Sequence, residues 1–280
     1  MSVAFGVVSL RGLATIQDGG RRGHMHEGVP PGGALVPELL ARANCALGNA
    51  WNAPAIELFG TLALEARGAI GRFATDDGAV TVIAPGGRFD SAGARYVAIA
   101  GGVKSPLCLG GRGALVAAGI GGWLRVGDAL VADAIETGDA CALPAVDDDA
   151  PIRVVVGPDV SRFDDAAIET LLASDFAVSA TRDRIGARLA GPRLARRDTD
   201  LARSMPMVRG AIQVPSSGEA IVLGPDHPTT GGYPILAVVI RADLGRFAAR
   251  PSGTSVRFSA VSIDEARSAW REHRVRWAMT

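Results

Sequence analysis

The chain has 280 residues, 48% of them hydrophobic, and 29 basic residues balance 29 acidic ones. At roughly 100 to 200 residues per domain, this length makes one large or two medium domains with a real core, which excludes general disorder. A net charge of zero offers no field for a phosphate backbone, and no apolar run approaches the ~20 residues that span a bilayer, so neither nucleic acid nor membrane is expected as a partner.

Short Val-, Ile- and Ala-rich runs separated by glycine and proline predict β structure with many turns. The expected strands are Ala14–Gln17, Ala55–Leu58, Val80–Ala84, Arg95–Ala100, Ile152–Val156, Phe176–Ser179, Ala211–Val214, Ala220–Leu223, Pro234–Ile240 and Ser255–Ala260. A helix is expected over Pro37–Leu47, where proline suits the first turn and Leu39, Leu40, Ala43 and Leu47 recur at helical spacing. A second is expected over Asp164–Ala173, with acids at its N-terminus. A third starts at Ser262, which with Glu265 has capping-box spacing, and carries Trp270 and Trp277 on one face, so that it buries something, by default within its own chain. The stretch PAVDDDAP, residues 144–151, reads as a linker between domains 1–146 and 150–280. Each half is mostly strands with one or two helices, so two β-barrel-like domains are expected.

Cys45, Cys108 and Cys141 are odd in number, contain no CxxC pair and read as buried reduced thiols. The start MSVAFGVVSL lacks a basic segment and a cleavage site, so no signal peptide is expected and the expected location is cytoplasmic. Lys104 is the only lysine, and no Walker-type motif surrounds it.

Two segments gather polar groups among turn signals. TIQDGGRRGHMHEGVPPGGA, residues 15–34, ends a strand on Gln17 and Asp18 and then presents Arg21, Arg22, His24, His26 and Glu27 on a glycine-rich loop. Glycine admits a ligand close to the backbone, and arginine supplies a fork for carboxylate oxygens; a solvated hairpin is the plainer alternative. His24 and His26 have no third ligand at supporting spacing, so no metal site is expected. RGAIQVPSSGEAIVLGPDHPTTGGY, residues 209–233, brings Asp226, His227, Thr229, Thr230 and Tyr233 onto one loop suited to a small polar ligand. In TRDRIG, residues 181–186, Arg182 and Arg184 are either a functional pair or a solvated one.

Those segments, with RANCALGN, APAIELFGTLALEA, YVAIAGGV, RDRIGARLAGP, RGAIQVPSSGEAIVL and DHPTTGGYPILAVVIRADLGRF, resemble the allophanate hydrolase subunit 2 family, also called the biotin-dependent carboxyltransferase family, over residues 5–262. The resemblance implies two cyclophilin-like β-barrel domains in a mainly β chain, working in a complex with a subunit 1 homologue. It implies ATP-dependent opening of 5-oxoproline to glutamate with a further large ATP-using subunit. The alternatives it leaves are a carboxyltransferase acting on urea or another amide, which needs biotin on a carrier elsewhere, and a non-enzymatic regulatory partner of a kinase-inhibitor-like homologue. No cofactor-binding motif is expected in the chain itself.

The resemblance further implies that Gln17, Asp18, Arg21 and Gly32 line one side of a cleft, with Arg184, Gln213, Asp226, Thr229, Thr230 and Tyr233 on the other. The arginines would hold a carboxylate or oxyanion, while Asp226 and the threonines orient an amide. Alanine at Arg184 or Asp226 would then lower activity at unchanged melting temperature. The chain departs from the family pattern at Val36 and Ala187, at Gly111, Gly113 and Ala114 where hydroxyls are usual, and over residues 73–95, which are short and lack the alternating LTGAD-like strand usual there.

Overall fold

The computed structural model describes residues 2–133, 138–146, 150–197 and 203–279. Asp147, Asp148 and Asp149, the acids of the expected linker, lie outside the described residues. The chain divides into two compact units, one of Met1–Arg22, Pro31–Ala145 and Arg274–Thr280, the other of Gly23–Pro30 and Val146–His273.

The first unit contains β1 (Ser2–Gln17), α1 (Pro37–Ala46), β2 (Ala55–Arg67), β3 (Gly71–Thr75), β4 (Val80–Ile83), β5 (Arg88–Ala92), β6 (Tyr96–Ile99) and β7 (Ala129–Asp133). They form one sheet in the order β4-β3-β6-β2-β1-β7, with β5 paired to the far half of β2. β1 and β2 run antiparallel over their whole length, from Ala4 opposite Arg67 to Gln17 opposite Ala55. Midway, Gly12 faces Gly60, both at positive φ (101° and 144°), where a side chain on either would strike the opposing carbonyl. A glycine pair of this kind lets a long ribbon bend and wrap. Inside lie Phe5, Phe73 and Phe89, Phe73 stacked on Phe89 at 4.6 Å and edge-on to Phe5 at 5.0 Å. The helix α1 starts on Pro37 and lies against β3 and β6.

Residues 73–95 contain the strand expected at Val80–Ala84, as β4, and also an alternating strand, β5, where none was expected. β4 and β5 both fall within them and β3 overlaps their start, with Phe89 and Ser91 buried at alternate positions of β5. The cysteine expectation is also corrected. Only Cys45 is buried; Cys108 is half-buried and Cys141 exposed. Burial, with the Cys141 thiol in hydrogen-bond contact, pushes the Cys45 thiol up to about 12, so it stays protonated and unreactive.

The second unit contains β8 (Ile152–Val156), α2 (Ala166–Ala173), β9 (Phe176–Arg182), β10 (Gly186–Ala190), β11 (Met205–Pro206), β12 (Ala211–Gln213), β13 (Ile221–Leu223), β14 (Thr230–Gly231), β15 (Ile235–Val239), α3 (Leu244–Ala249), β16 (Ser255–Val256), β17 (Phe258–Ala260) and α4 (Ile263–Arg276), which runs on past the unit's last residue. Its main sheet has the order β16-β9-β10-β13-β12-β15-β8-β17. The two ends of that order are neighbours in the chain. Val256 pairs with Phe176 of β9, and two residues later Phe258 pairs with Ile152 of β8, so Ser255–Ala260 closes the sheet into a barrel and removes its free edges. Phe163, Leu171, Phe176, Leu189, Ile212, Leu236 and Phe258 fill it. The short pair β11 and β14 stands apart from this sheet.

α4 begins on the expected capping box, the Ser262 amide donating to Glu265 Oε2 (2.7 Å) and the Glu265 amide to Ser262 Oγ (3.2 Å). Trp270 lies under the Arg241 guanidinium (4.2 Å to the ring centre) and Trp277 is buried, so this face is used within the chain.

Candidate functional site

In the first unit the loop residues expected to meet a ligand lie mainly beneath the surface. Gln17, Asp18 and Arg21 are 0%, 7% and 1% exposed. Gln17 Nε2 donates to the Ala114 carbonyl (3.0 Å), Asp18 Oδ2 accepts from the Arg112 amide (2.6 Å), and Asp18 Oδ1 accepts from the Gly20 amide (2.8 Å). Arg21 donates through Nη2 to the Gly113 carbonyl and through Nε to that of Cys108 (3.4 Å). All three therefore hold the segment 108–114. Gly113 is part of the same fit, because a Cβ there would lie 2.8 Å from Asp18 Oδ1 and 2.9 Å from Gln17 Oε1. Hydroxyl side chains at Gly111 and Gly113 are thus replaced by close backbone packing. Gly32 is buried at φ 60°, beside Gly33, whose α-carbon faces Gly20 backbone to backbone.

Next to this lies a buried pair that sequence reasoning missed. Glu57 and Tyr96 are both fully buried; the Tyr96 hydroxyl donates to Glu57 Oε2, which also accepts from the Leu35 amide (2.8 Å), while Tyr96 Oη accepts from the Val36 amide (3.0 Å). An acid in the middle of the apolar strand AIELF was the available signal. The pair fixes the turn that leads into α1, with Val36 as the capping residue. Tyr96→Phe is expected to lower stability by about 1–3 kcal/mol, because a buried carboxylate loses a donor. Urea denaturation of both proteins checks this; a change within error would show the hydroxyl to be dispensable.

In the second unit Arg184 and Asp226 form a two-pronged ion pair, Nε to Oδ2 and Nη2 to Oδ1, both at 2.8 Å, with side chains 12% and 8% exposed. The backbone enforces it: the Asp226 amide donates to the Arg184 carbonyl (2.9 Å), and the Gly224 amide to that of Ile185 (2.7 Å). The Asp183 carboxylate accepts from the Ile185 and Gly186 amides and shapes the turn that aims Arg184. Arg182 instead donates to the Arg250 carbonyl, so the two arginines of TRDRIG serve different partners and neither is a freely solvated side chain.

Gln213 ends β12 largely buried, its amide nitrogen toward Met207 Sδ (3.0 Å) and the Tyr233 carbonyl (3.4 Å). The Thr229 carbonyl accepts from the Met207 amide, Thr230 pairs with Pro206, and Tyr233 is 42% exposed. Arg184, Asp226, Gln213 and the 229–233 loop are therefore contiguous in chain and ladder, with Thr230 and Tyr233 presented to solvent. His24 precedes the short 3-10 turn Met25–Glu27, His26 lies within it, and both meet Glu27 (3.3 and 3.4 Å); among the described residues no cluster of metal-ligating side chains occurs.

His227 is fully buried, and its 2.8 Å contact with the Pro228 carbonyl requires the proton on Nδ1. Burial, helped by nearby Arg209 and opposed by Asp226 and the Pro228 carbonyl, holds its pKa below the ordinary 6.5. The unfolded chain then takes a proton that the folded chain refuses, so stability falls as pH drops through about 6.5. His227→Gln is expected to flatten the melting-temperature profile below that pH; an unchanged slope would show that His227 is not the group responsible.

The described chain is thus two strand-rich units, each with buried polar side chains that support glycine-rich loops. The model of the carboxyltransferase domain, subdomain A and B, matches residues 85–260. The C component of the 5-oxoprolinase of Escherichia coli K12 is 33% identical over 91% of this chain and 90% of its own length. The urea amidolyase of Lachancea kluyveri is 30% identical over 94% of this chain, which spans only 17% of that protein. The crystal structure of the Kluyveromyces lactis urea amidolyase superimposes with a TM-score of 0.87 at 24% identity over 98% of this chain and 20% of the other, a likeness of fold. The chain belongs to the carboxyltransferase-domain family, as its motifs anticipated. No helix among the described residues is long and apolar enough to cross a membrane.

Proposed function

We propose that this chain is the C component of a 5-oxoprolinase complex, which opens the lactam of 5-oxo-L-proline to L-glutamate at the expense of ATP. The observation that carries this reading is kinship along nearly the whole of both chains with a 5-oxoprolinase C component, whereas the urea amidolyase relative is matched over a small part of its length. Work with a subunit 1 homologue and a large ATP-using subunit follows from the same reading, and ATP is used on that large partner. In this chain Arg184 and Asp226 hold the 224–230 loop; Asp226 and the Thr229 and Thr230 hydroxyls orient the amide, while Arg184 steadies charge developing on its oxygen. A second reading, the carboxyltransferase part of a biotin-dependent urea or amide carboxylase, is favoured by the family match itself. It needs a biotinylated carrier outside these residues, because the only lysine here, Lys104, lies in GGVKSP and not in the AMKM-like setting that biotin attachment needs.

The test is ATP-dependent glutamate release from 5-oxoproline by the three co-expressed proteins, with this chain omitted as control. Activity lost on omission supports the proposal. A complex that assembles without turnover removes it and leaves the carboxylase or regulatory readings.

A further inference from the structure

Burying a carboxylate and a guanidinium is costly, and such groups are kept where they fix something that must not move. Here Gln17, Asp18 and Arg21 all act on one short segment, residues 108–114. A further bond from the Ala114 amide to the Ile16 carbonyl (2.8 Å) ties that segment to β1, and Cys108 and Gly111 exchange backbone bonds of 2.8 and 3.1 Å. What this support holds in place on the outside is Arg112. Its amide is anchored by Asp18, and its exposed side chain reaches back through Nη1 to the Ser105 carbonyl, while Ser105 Oγ donates to the Arg112 carbonyl (2.6 Å).

Arg112 borders a cavity of about 410 Å³ within the first unit, whose other walls include Gly101, Gly102, Lys104, Ser105 and Asp133. The floor is as constrained as the loop. Gly101, at φ 84°, sits where a Cβ would lie 1.9 Å from the Asp133 carbonyl, and its amide is held by Asn49 Oδ1 (2.9 Å). The lone lysine of the chain lines this cavity, its amide bonded to the Val131 carbonyl and its ammonium group 2.6 Å from Asp133.

We propose that this cavity binds a small carboxylate that also carries an amide or amine N–H. Arg112 offers a planar fork for the carboxylate, Lys104 adds a second cation, and Asp133 accepts the N–H. With Asp133 opposing the two cations, the site carries a single net positive charge, which a monocarboxylate neutralises. Gln17, Asp18 and Arg21 are positioning residues for this site, one layer beneath the groups that touch the ligand. The cavity stands on its own geometry; the identification of its ligand as a lactam carboxylate rests on the 5-oxoprolinase reading. On that reading 5-oxoproline first docks with its carboxylate on Arg112 and its ring N–H on Asp133, a position separate from the one at the 224–230 loop where its amide is opened, and a fit that urea, with no carboxylate, does not make.

The test is calorimetric titration of the full chain with N-acetylglycine, and with N-acetylglycinamide as the uncharged comparison, alongside the KM of the assembled complex for 5-oxoproline. Wild type is expected to prefer the acid by at least about tenfold, and Arg112→Gln to lose that preference, about 1.4 kcal/mol or more. Arg88→Gln, an exposed arginine of β5 paired with Asp90, serves as a control and is expected to bind as wild type does. A melting temperature within a degree of wild type shows that Arg112→Gln is folded; should it fall further, Lys104→Gln replaces it, with a smaller loss expected.

Failure of the chain to bind N-acetylglycine, equal binding of acid and amide, or binding that the substitution leaves unchanged overturns the cavity proposal whatever the complex does. An unchanged KM for 5-oxoproline in an active complex overturns the placement of that substrate here while the 5-oxoprolinase reading stands. Substitution-sensitive binding of the acid with no turnover of 5-oxoproline removes that reading and keeps the cavity.

Discussion

Asp226→Ala is expected to lower both the activity of the assembled complex and the stability of the chain. From its motif alone, a change in activity at constant melting temperature is the natural expectation for this residue. The structure alters that. Asp226 and Arg184 are 8% and 12% exposed and bound to each other by two 2.8 Å hydrogen bonds, so deleting the carboxylate removes two charge-assisted hydrogen bonds from a mostly buried guanidinium. Breaking such a pair costs about 3–5 kcal/mol, part of which water entering the vacated space recovers. Activity is expected to fall by ~100-fold or more if the pair holds the loop that orients the amide.

Two measurements separate the effects. Urea denaturation of the single variants and of the double Arg184→Ala, Asp226→Ala variant gives the coupling, and the double variant is expected to be less destabilised than the sum of the singles. Steady-state kinetics at a temperature where each variant is fully folded gives the contribution to turnover. Additive stabilities would mean that the pair is not an energetic unit, and full turnover in the folded variants would remove both residues from the mechanism.

The second large effect is expected at the bend of the long ribbon. Gly12→Ala places a methyl group 2.0 Å from the Phe59 carbonyl oxygen, and Gly60→Ala places one 1.9 Å from that of Arg11. Both positions also have backbone angles that a side chain strongly disfavours. Neither obstacle is the flexible end of a side chain, so β1 and β2 must separate where the first unit depends on them. A loss of at least about 3 kcal/mol is expected for each, combining strained backbone with overlap. Gly78→Ala is the comparison: φ is 86°, but nothing lies within 4 Å, so only the backbone term of about 1–2 kcal/mol remains. Equal losses at Gly12, Gly60 and Gly78 in urea denaturation would show that the bend carries no special constraint.

Much of the secondary structure was legible because it is written locally. Proline at the start of α1, the Ser262–Glu265 box before α4 and the apolar runs of β8, β12, β13 and β15 each signal themselves within a few residues. Strands with weak local signals were underestimated. β1 extends back to Ser2 through Gly6 and Gly12, and β2 forward to Arg67 through Gly60, because the ladder each forms with the other outweighs the turn preference of glycine. β5 has the sequence RFDSA, whose polar residues conceal a half-buried alternation.

The candidate residues divide along the same line. Sequence alone marked Gln17, Asp18, Arg21, Arg184, Gln213 and Asp226 as polar groups set among glycines, and their motifs led to the family. It placed the starts of α1, α2 and α4, though not α3, and the β-rich character of both halves, all properties of neighbouring residues. Only the tertiary structure decided what those side chains touch, since Gln17 and Asp18 find their partners 97 and 94 residues away, and Asp226 meets Arg184 across 42. It also decided that Glu57 would be buried against Tyr96, that Ser255–Ala260 would close the second barrel, and that Lys104 and Arg112 would share one cavity. A local pattern sets which conformations a segment prefers, whereas the partner of a buried charge is chosen by the long-range ladders that bring distant loops together, and no short window of sequence contains them.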